Sequence, residues 1–280
     1  MKLLALLLVL ALRRLEWREQ RLRPLLRRLL LAPAPLAAML AVTAGGRLLV
    51  LVLFWAAIGF LVRFGVNDWL LSLPLLATYV LLLWALVGRD RLGEDLNEYL
   101  RRWYLHEPQE LAVFARERFG VEADSPGALH RAVLRALFVR AFRENYAWII
   151  VFALTGLPGL LVLALLDAAG NGNEPLLARE AQDMRARLDW LLARLLGVTL
   201  RLTGNSARAW PMLDNRLLDD EDPAEELVAA VCVAAAGVSP QAPEGEAPDV
   251  GLDITDARGL LLRTQVVWIM LMAVSVIIGF

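Results

Sequence analysis

An apolar stretch, AWIIVFALTGLPGLLVLALLD at residues 147–167, carries polar side chains at both of its ends. Polar residues against membrane segments often mark function, because they can line a pocket at the level of the lipid headgroups. The same residue types are also typical of helix caps and interfacial anchors, and both interpretations stay open. The residues concerned are Arg143, Glu144 and Asn145 just before the stretch, Asp167 at its last position, and Asn171 shortly after it.

Asp189 and Arg194 lie on the next predicted helix and could face the same place. If these residues form an active site, Glu144, Asn145 and Asp189 are the candidates for catalysis. Four further side chains would then contact a ligand or orient these groups. Those binding candidates from the same neighbourhood are Arg143, Asp167, Asn171 and Arg194.

The apolar stretch is interrupted by Gly156, Pro158 and Gly159. Proline lacks an N–H and clashes with the carbonyl four residues before it, so a helix must bend here. Each half has roughly nine residues, which reach about 13 Å at the helical rise, close to the bilayer midplane. The stretch is therefore either a kinked spanning helix or a re-entrant hairpin. A hairpin would bring both polar sets to the same cytoplasmic mouth.

Other catalytic patterns are weak. His106 and His130 lack a second ligand at metal spacing, so neither predicts a zinc site. The acidic run Asp219–Asp222 is typical of a solvated helix entry. There is no phosphate-binding loop and no nucleophile elbow. We expect no metal and no cofactor, and the net charge of −1 gives no indication of nucleic-acid binding.

Composition indicates a membrane protein: 58% of the residues are hydrophobic and the mean hydropathy is +0.53. Roughly 20 apolar residues span a bilayer core. Blocks approaching that length occur at 48–66, 69–87 and 265–280, besides 147–167. The sequence therefore predicts an all-α polytopic membrane protein with three to four membrane-spanning helices, one of them a possible re-entrant hairpin, and helical cytoplasmic segments.

Arginine distribution predicts the orientation, because cytoplasmic loops are enriched in Lys and Arg. The Arg-rich region before residue 48 should be cytoplasmic. Its first twelve residues resemble a signal peptide without a cleavage site, so we expect them to be retained. The side of the membrane that holds residues 168–258 depends on whether the stretch 147–167 spans.

Helix signals divide the chain further. Ser125 and Pro126 predict a helix start, Pro175 begins a long helix that Gly204 ends, and another runs from Asp222 to Gly237. The predicted segments are 1–47 (an apolar helix and an Arg-rich amphipathic helix), 48–87 (a transmembrane hairpin), 88–146 (cytoplasmic helices), 147–167 (the interrupted membrane segment), 168–237 (soluble helices), 238–257 (a Pro/Gly/acid-rich linker) and 259–280 (a C-terminal transmembrane helix).

Several segments resemble the AmpE family, inner-membrane proteins of Gram-negative bacteria whose gene accompanies that of the cytoplasmic muropeptide amidase AmpD. They are LLALLLVLALRRLE, DLNEYLRRWYLHEPQELAVFARERFGVEAD, GLPGLLVLALLD and RLDWLLARLLGVTLRLTGN. The resemblance implies a regulatory or sensory role in β-lactamase induction and peptidoglycan recycling. It further implies AmpD or a muropeptide as partner, in addition to membrane lipid.

A second likeness is to the membrane synthase of cobalamin biosynthesis, the adenosylcobinamide-phosphate synthase family. Glu144-Asn145 resembles its Glu-Asn motif, and Arg187-Leu-Asp189 resembles a later Arg-Leu-Asp motif, which adds Arg187 to the binding candidates. Where that family continues with Asp-Gly, this chain has Trp148 and Ile149. This likeness implies the alternative of a divergent membrane enzyme with its site at the membrane–cytoplasm mouth.

Overall fold

The computed structural model describes residues 2–12, 22–65, 72–86, 91–105, 107–214, 216–217, 219, 222–237 and 250–278. These residues form α-helices and one π-helical turn, without a strand, so the all-α prediction is confirmed for the part of the chain described. The helices are α1 Lys2–Leu12, α2 Leu22–Leu31, α3 Ala34–Leu40, α4 Ala44–Gly65, α5 Ser72–Leu86, α6 Arg91–Tyr104, α7 Pro108–Phe119, α8 Pro126–Ala141, the π-turn Phe142–Tyr146, α9 Ala147–Thr155, α10 Leu157–Gly170, α11 Pro175–Thr203, α12 Ser206–Asp214, α13 Ala224–Ala236 and α14 Val250–Ile278.

The chain forms two compact units. The first unit comprises Met1–Gly88, Trp148–Asp189 and Leu271–Phe280, and the second comprises Arg89–Ala147 and Trp190–Met270. Helices α9, α11 and α14 each contribute residues to both units.

The first unit is built around α10, which packs against α4 and also contacts α2 and α5. At one level, a Cβ added to Gly59 would lie 2.7 Å from the Cα of Pro158, so only glycine allows this approach. Towards the other end, Leu48 shares an apolar cluster with Leu166 and Ala169. Gly59, late in α4, contacts the start of α10, and Leu48, early in α4, contacts its end. The two helices therefore run antiparallel.

The chain folds back between α9 and α10. Gly156 has φ 72° and ψ −140°, which ends the first helix. A Cβ added to Gly159 would lie 2.8 Å from Cγ1 of Val151. In one continuous helix these positions would be about 12 Å apart along the axis. The segment is therefore not a single kinked rod, because the first turn of α10 lies beside α9.

A second contact agrees with this reversal. The guanidinium of Arg185, on α11, lies 5.6 Å from the ring centroid of Trp148 in the first turn of α9. Helix α11 packs along α10, since the side chain of Gln182 donates to the carbonyl of Gly170 over 2.9 Å. Both ends of the interrupted segment therefore approach α11.

The second unit is organised around α8, which contacts α7 and α13. The predicted cap is confirmed: the Ser125 hydroxyl accepts a hydrogen bond of 3.3 Å from the backbone N–H of Ala128. Leu134, Leu137 and Phe138 are buried along this helix. The helix then passes through the π-turn into α9.

Helix boundaries agree with the proline and glycine signals in two further places. Helix α11 begins at Pro175 and ends just before Gly204, and α13 ends at Gly237 in the left-handed conformation. The predicted linker 238–257 is wrong from residue 250 onwards, where α14 begins; residues 238–249 lie outside the described part. The cause is tertiary packing, because Ile254 and Ala257 are fully buried.

Two helical stretches among the described residues are long and apolar enough to cross a bilayer, namely Ala44–Val62 and Val250–Ser275. Core helices of soluble proteins can meet the same criterion. Of the predicted block 69–87, the structure describes the 15-residue α5. The stretch 147–167 is divided between two short helices. The number of spans therefore stays a prediction.

Gly156→Ala should lower the stability of the protein by about 1–3 kcal/mol, because a side chain is strained at this backbone conformation. Thermal unfolding of the purified protein in detergent measures the change. Gly259→Ala is the matched control, since a Cβ there meets no atom within 4 Å. Equal melting temperatures for the two variants would contradict the reversal at Gly156.

The side of the membrane can be tested by cysteine labelling at Asn205, an exposed residue just beyond α11. The native Cys232 is buried and is replaced by Ala to remove background. If the interrupted segment is re-entrant, a membrane-impermeant maleimide should label Asn205→Cys only after the cells are opened. A cysteine at exposed Glu122 serves as the cytoplasmic control, and labelling of Asn205→Cys in intact cells would contradict the hairpin topology.

Candidate functional site

The predicted site residues are divided between the two units. Asp167, Asn171, Arg187 and Asp189 belong to the first unit, and Arg143, Glu144, Asn145 and Arg194 belong to the second. The structure brings some of them into ion pairs or hydrogen bonds with other partners inside their own unit. Their roles are therefore best read from those local contacts.

Glu144 lies in the π-turn and is bound by a neighbouring arginine. Arg140 donates from Nε to Glu144 Oε1 over 3.0 Å and from Nη1 to Asp95 Oδ2 over 2.9 Å. Burial lowers the pKa of Arg140, but its hydrogen bonds to Glu144 and then Asp95 outweigh burial and raise that pKa overall. A guanidinium held between two carboxylates links the π-turn to α6.

The neighbours of Glu144 connect the π-turn to other helices. Arg143 forms an ion pair with Glu225, in the first turn of α13. The hydroxyl of Tyr146 donates to the carbonyl of Leu261 in α14 over 2.5 Å. Asn145, the residue after Glu144, is half-buried. Because π-turns are frequent at functional sites, this segment keeps its interest as a candidate.

Asp189 is also engaged by an arginine. Arg185 Nε lies 3.0 Å from each carboxylate oxygen of Asp189, and both side chains are mostly buried. The guanidinium that binds Asp189 is the same one that stacks on Trp148. Arg187, two residues before Asp189, is exposed. Asp189 thus helps to fix Arg185 against the interrupted segment.

Asn171 ends α10. Its side-chain Nδ2 and its backbone N–H both donate to the carbonyl of Asp167, over 2.8 and 3.2 Å. Its own carbonyl accepts a hydrogen bond from Arg27 of α2. The side chain of Asp167 is exposed. Asn171 therefore acts as a cap, which is the structural alternative raised by the sequence.

Arg194 is a buried residue that holds the segment after α12. It donates to the carbonyls of Trp190 and Leu217 over 3.0 Å each, and to that of Asp219 over 2.5 Å. Its guanidinium lies 3.8 Å from the ring centroid of Trp190. These contacts satisfy backbone carbonyls next to the acidic run, whose Asp222 pairs with Arg216. The geometry favours a structural role for Arg194.

Sequence reasoning missed a buried cluster centred on His130. Its Nε2 lies 3.2 Å from Asp253 Oδ2 of α14, and its Nδ1 lies 3.5 Å from the Tyr99 hydroxyl of α6. The imidazole also stacks on the Tyr99 ring, with centroids 6.1 Å apart. Asp253 is 123 positions from His130, so no local pattern could have linked them.

Burial governs the protonation of this cluster. It lowers the pKa of His130, and Asp253 opposes that shift without reversing it. Nearby Arg131 lowers the same pKa slightly further. Burial also raises the pKa of the Tyr99 hydroxyl. Burial thus favours the neutral imidazole, which can accept a hydrogen bond from the Tyr99 hydroxyl at Nδ1 and donate one from Nε2 to Asp253.

Metal binding has no support in the part of the chain that the structure describes. No group of three or more His, Cys, Asp or Glu side chains there could hold an ion. Both nitrogens of His130 face protein partners, and His106 lies outside the described residues.

Comparison with known proteins adds no relative: no family model, no curated protein and no solved structure matches this chain. The likenesses to the AmpE and cobalamin-synthase families therefore depend on the sequence segments alone.

The His130 cluster predicts that stability falls as the solution is acidified. A pKa lowered by folding means that the unfolded chain binds a proton first, so stability is lost as pH falls below about 6.5. The melting temperature of the wild type should decrease from pH 7.5 to 5.5 more steeply than that of His130→Gln. His106→Gln, the only other histidine change available, is the control. Parallel profiles for wild type and His130→Gln would contradict the assignment.

Proposed function

We propose that this chain is a membrane-embedded regulatory or sensory protein of the bacterial inner membrane. The observation that carries the membrane location is the exposure of large apolar side chains on α4. Leu49, Leu53 and Leu61 are 54, 59 and 71% exposed on this 22-residue helix. Large apolar side chains exposed along one helix favour a covering partner, and lipid would cover them.

A similar stripe supports α14 as a further span. Leu262, Val266, Met270 and Val274 recur every four residues and are all about half exposed or more. Such spacing puts them on one face of the helix. We infer that α4, α5 and α14 span the bilayer, which makes three spans, and that α9 and α10 form a re-entrant hairpin.

The topology is supported by contacts at one end of the first unit. Arg47, at the start of α4, forms an ion pair of 3.0 Å with Glu174, which precedes α11. Arg27 of the Arg-rich α2 binds the carbonyl of Asn171. The chain therefore leaves α10 at the end where it enters α4. If the arginines before α4 are cytoplasmic, α11 also begins on the cytoplasmic side.

The reversal also occurs before α4 ends. Pro158 packs on Gly59, and α4 continues from there to Gly65, a further distance of about 9 Å at the helical rise. A turn at this depth fits a hairpin whose backbone is covered by protein, as the hydrocarbon core requires.

A non-enzymatic role is favoured because the candidate carboxylates are already committed. Glu144 is bound by Arg140 and Asp189 by Arg185. The narrower role in β-lactamase induction and peptidoglycan recycling, with AmpD or a muropeptide as partner, derives from the AmpE resemblance. One observation supports the alternative of a divergent membrane enzyme: the Glu144-Asn145 pair lies in a π-turn, and such turns are frequent at functional sites.

The two functions predict different outcomes for Glu144→Gln and Asp189→Asn. In the regulatory proposal, both variants should support β-lactamase induction within about twofold of wild type, because neither residue reacts. The measurement is induced β-lactamase activity in a host whose own copy of the gene is deleted. Membrane content of each variant is measured by immunoblot.

The deletion itself is the control for function. If loss of the chain leaves induction unchanged, the proposed role is wrong. If the deletion alters induction and both variants fail despite normal membrane content, the enzyme alternative replaces the regulatory one.

A further inference from the structure

The first unit contains an open cleft of about 690 Å³ beside the loop between α10 and α11. Its walls come from α2 and the start of α3 on one side, and from the end of α10 and the start of α11 on the other. The floor is apolar, with Leu31, Ala169 and Leu177 among its lining residues. Two arginines, Arg27 and Arg28, also line the cleft.

The charge of the cleft favours an anion. Glu174 also lines it, but its carboxylate is paired with Arg47 over 3.0 Å. Arg27 is held in place by the carbonyl of Asn171, and Arg28 is exposed without an ion pair to any described residue. Helix α11 starts at Pro175 with no acidic residue in its first turn, so its positive end adds to the field.

The position of Arg28 on α2 indicates what kind of anion fits. At 100° per residue, Pro24, Arg27, Arg28 and Leu31 share the face that lines the cleft. Leu25 and Leu29 occupy the next face and are 59 and 60% exposed. Leu30 is buried on the third face, where its carbonyl accepts from Trp55 Nε1 over 2.9 Å. Arg28 therefore lies at the border between the cleft and an exposed apolar surface.

We propose that the cleft binds the phosphate-bearing headgroup of an anionic phospholipid. Arg28 and Arg27 contact the phosphate, the glycerol region lies over Leu31 and Leu177, and the acyl chains follow Leu25 and Leu29 into the bilayer. The cleft lies at the end of the unit that carries Arg47 and Asn171, which is the level expected for headgroups. The inference rests on the proposed membrane location and is independent of any role in β-lactamase induction.

Arg28→Gln tests the proposal without removing a structural contact, whereas Arg27→Gln would also remove the bond to Asn171. The full-length protein is placed in nanodiscs of phosphatidylcholine that contain increasing fractions of phosphatidylglycerol. The protein is then extracted from the nanodiscs, and the lipids that stay bound to it are identified by native mass spectrometry. Wild type should retain phosphatidylglycerol over phosphatidylcholine, and Arg28→Gln should weaken that preference about fivefold. Arg179→Gln, an exposed arginine of α11 in the same unit, is the matched control and should behave as wild type.

Three results would overturn the assignment. If Arg28→Gln and Arg179→Gln lose the preference for phosphatidylglycerol equally, the lipid is attracted by general surface charge and not by the cleft. Displacement of phosphatidylglycerol by millimolar inorganic phosphate would assign the cleft to a free anion. Absence of any headgroup preference in the wild type would refute lipid binding there. A chain that stays dispersed without detergent or lipid would instead contradict the membrane location itself, which separates the two failures.

Discussion

The structure depends on three glycines, Gly59, Gly156 and Gly159, which together allow α10 to change direction and pack against α4. Gly156 adopts a conformation that side chains rarely allow, Gly159 lies against Val151, and Gly59 admits Pro158. A Cβ at Gly59 or Gly159 would displace a neighbour, and a side chain at Gly156 would be strained by its backbone conformation. They set the direction of α10 along α4, and that direction determines where α11 begins.

Because α10 runs along α4, the loop after α10 lies beside the start of α4, and this end of the first unit is polar. The loop after α10 is held by Arg27 and by the pair between Arg47 and Glu174. Sequence analysis expected polar residues at a shared mouth if the segment is a hairpin, and it left two roles open for them, chemistry and helix capping. The contacts assign Asn171 to capping and Asp189 to fixing Arg185, which leaves the cleft beside Arg28 as the better candidate for a ligand.

Local signals predicted local structure well. Ser125, Pro175 and Gly237 mark helix ends because capping and backbone conformation depend on a few neighbouring residues. The linker prediction was wrong from Val250 onwards because composition does not register burial of Ile254. The bond from His130 to Asp253 was missed for the same reason: it joins residues 123 positions apart, and sequence spacing carries no information about that contact.

The central claim is that the chain reverses at Gly156. The most direct measurement is the distance between spin labels at Val151 and Asp167, obtained by double electron–electron resonance in nanodiscs. A continuous helix would separate these positions by about 24 Å. The fold described here predicts a distribution centred clearly below that value, because the chain turns at Gly156 and the first turn of α10 contacts Val151. A narrow distribution at the longer distance would contradict the reversal and the cytoplasmic position of α11 inferred from it.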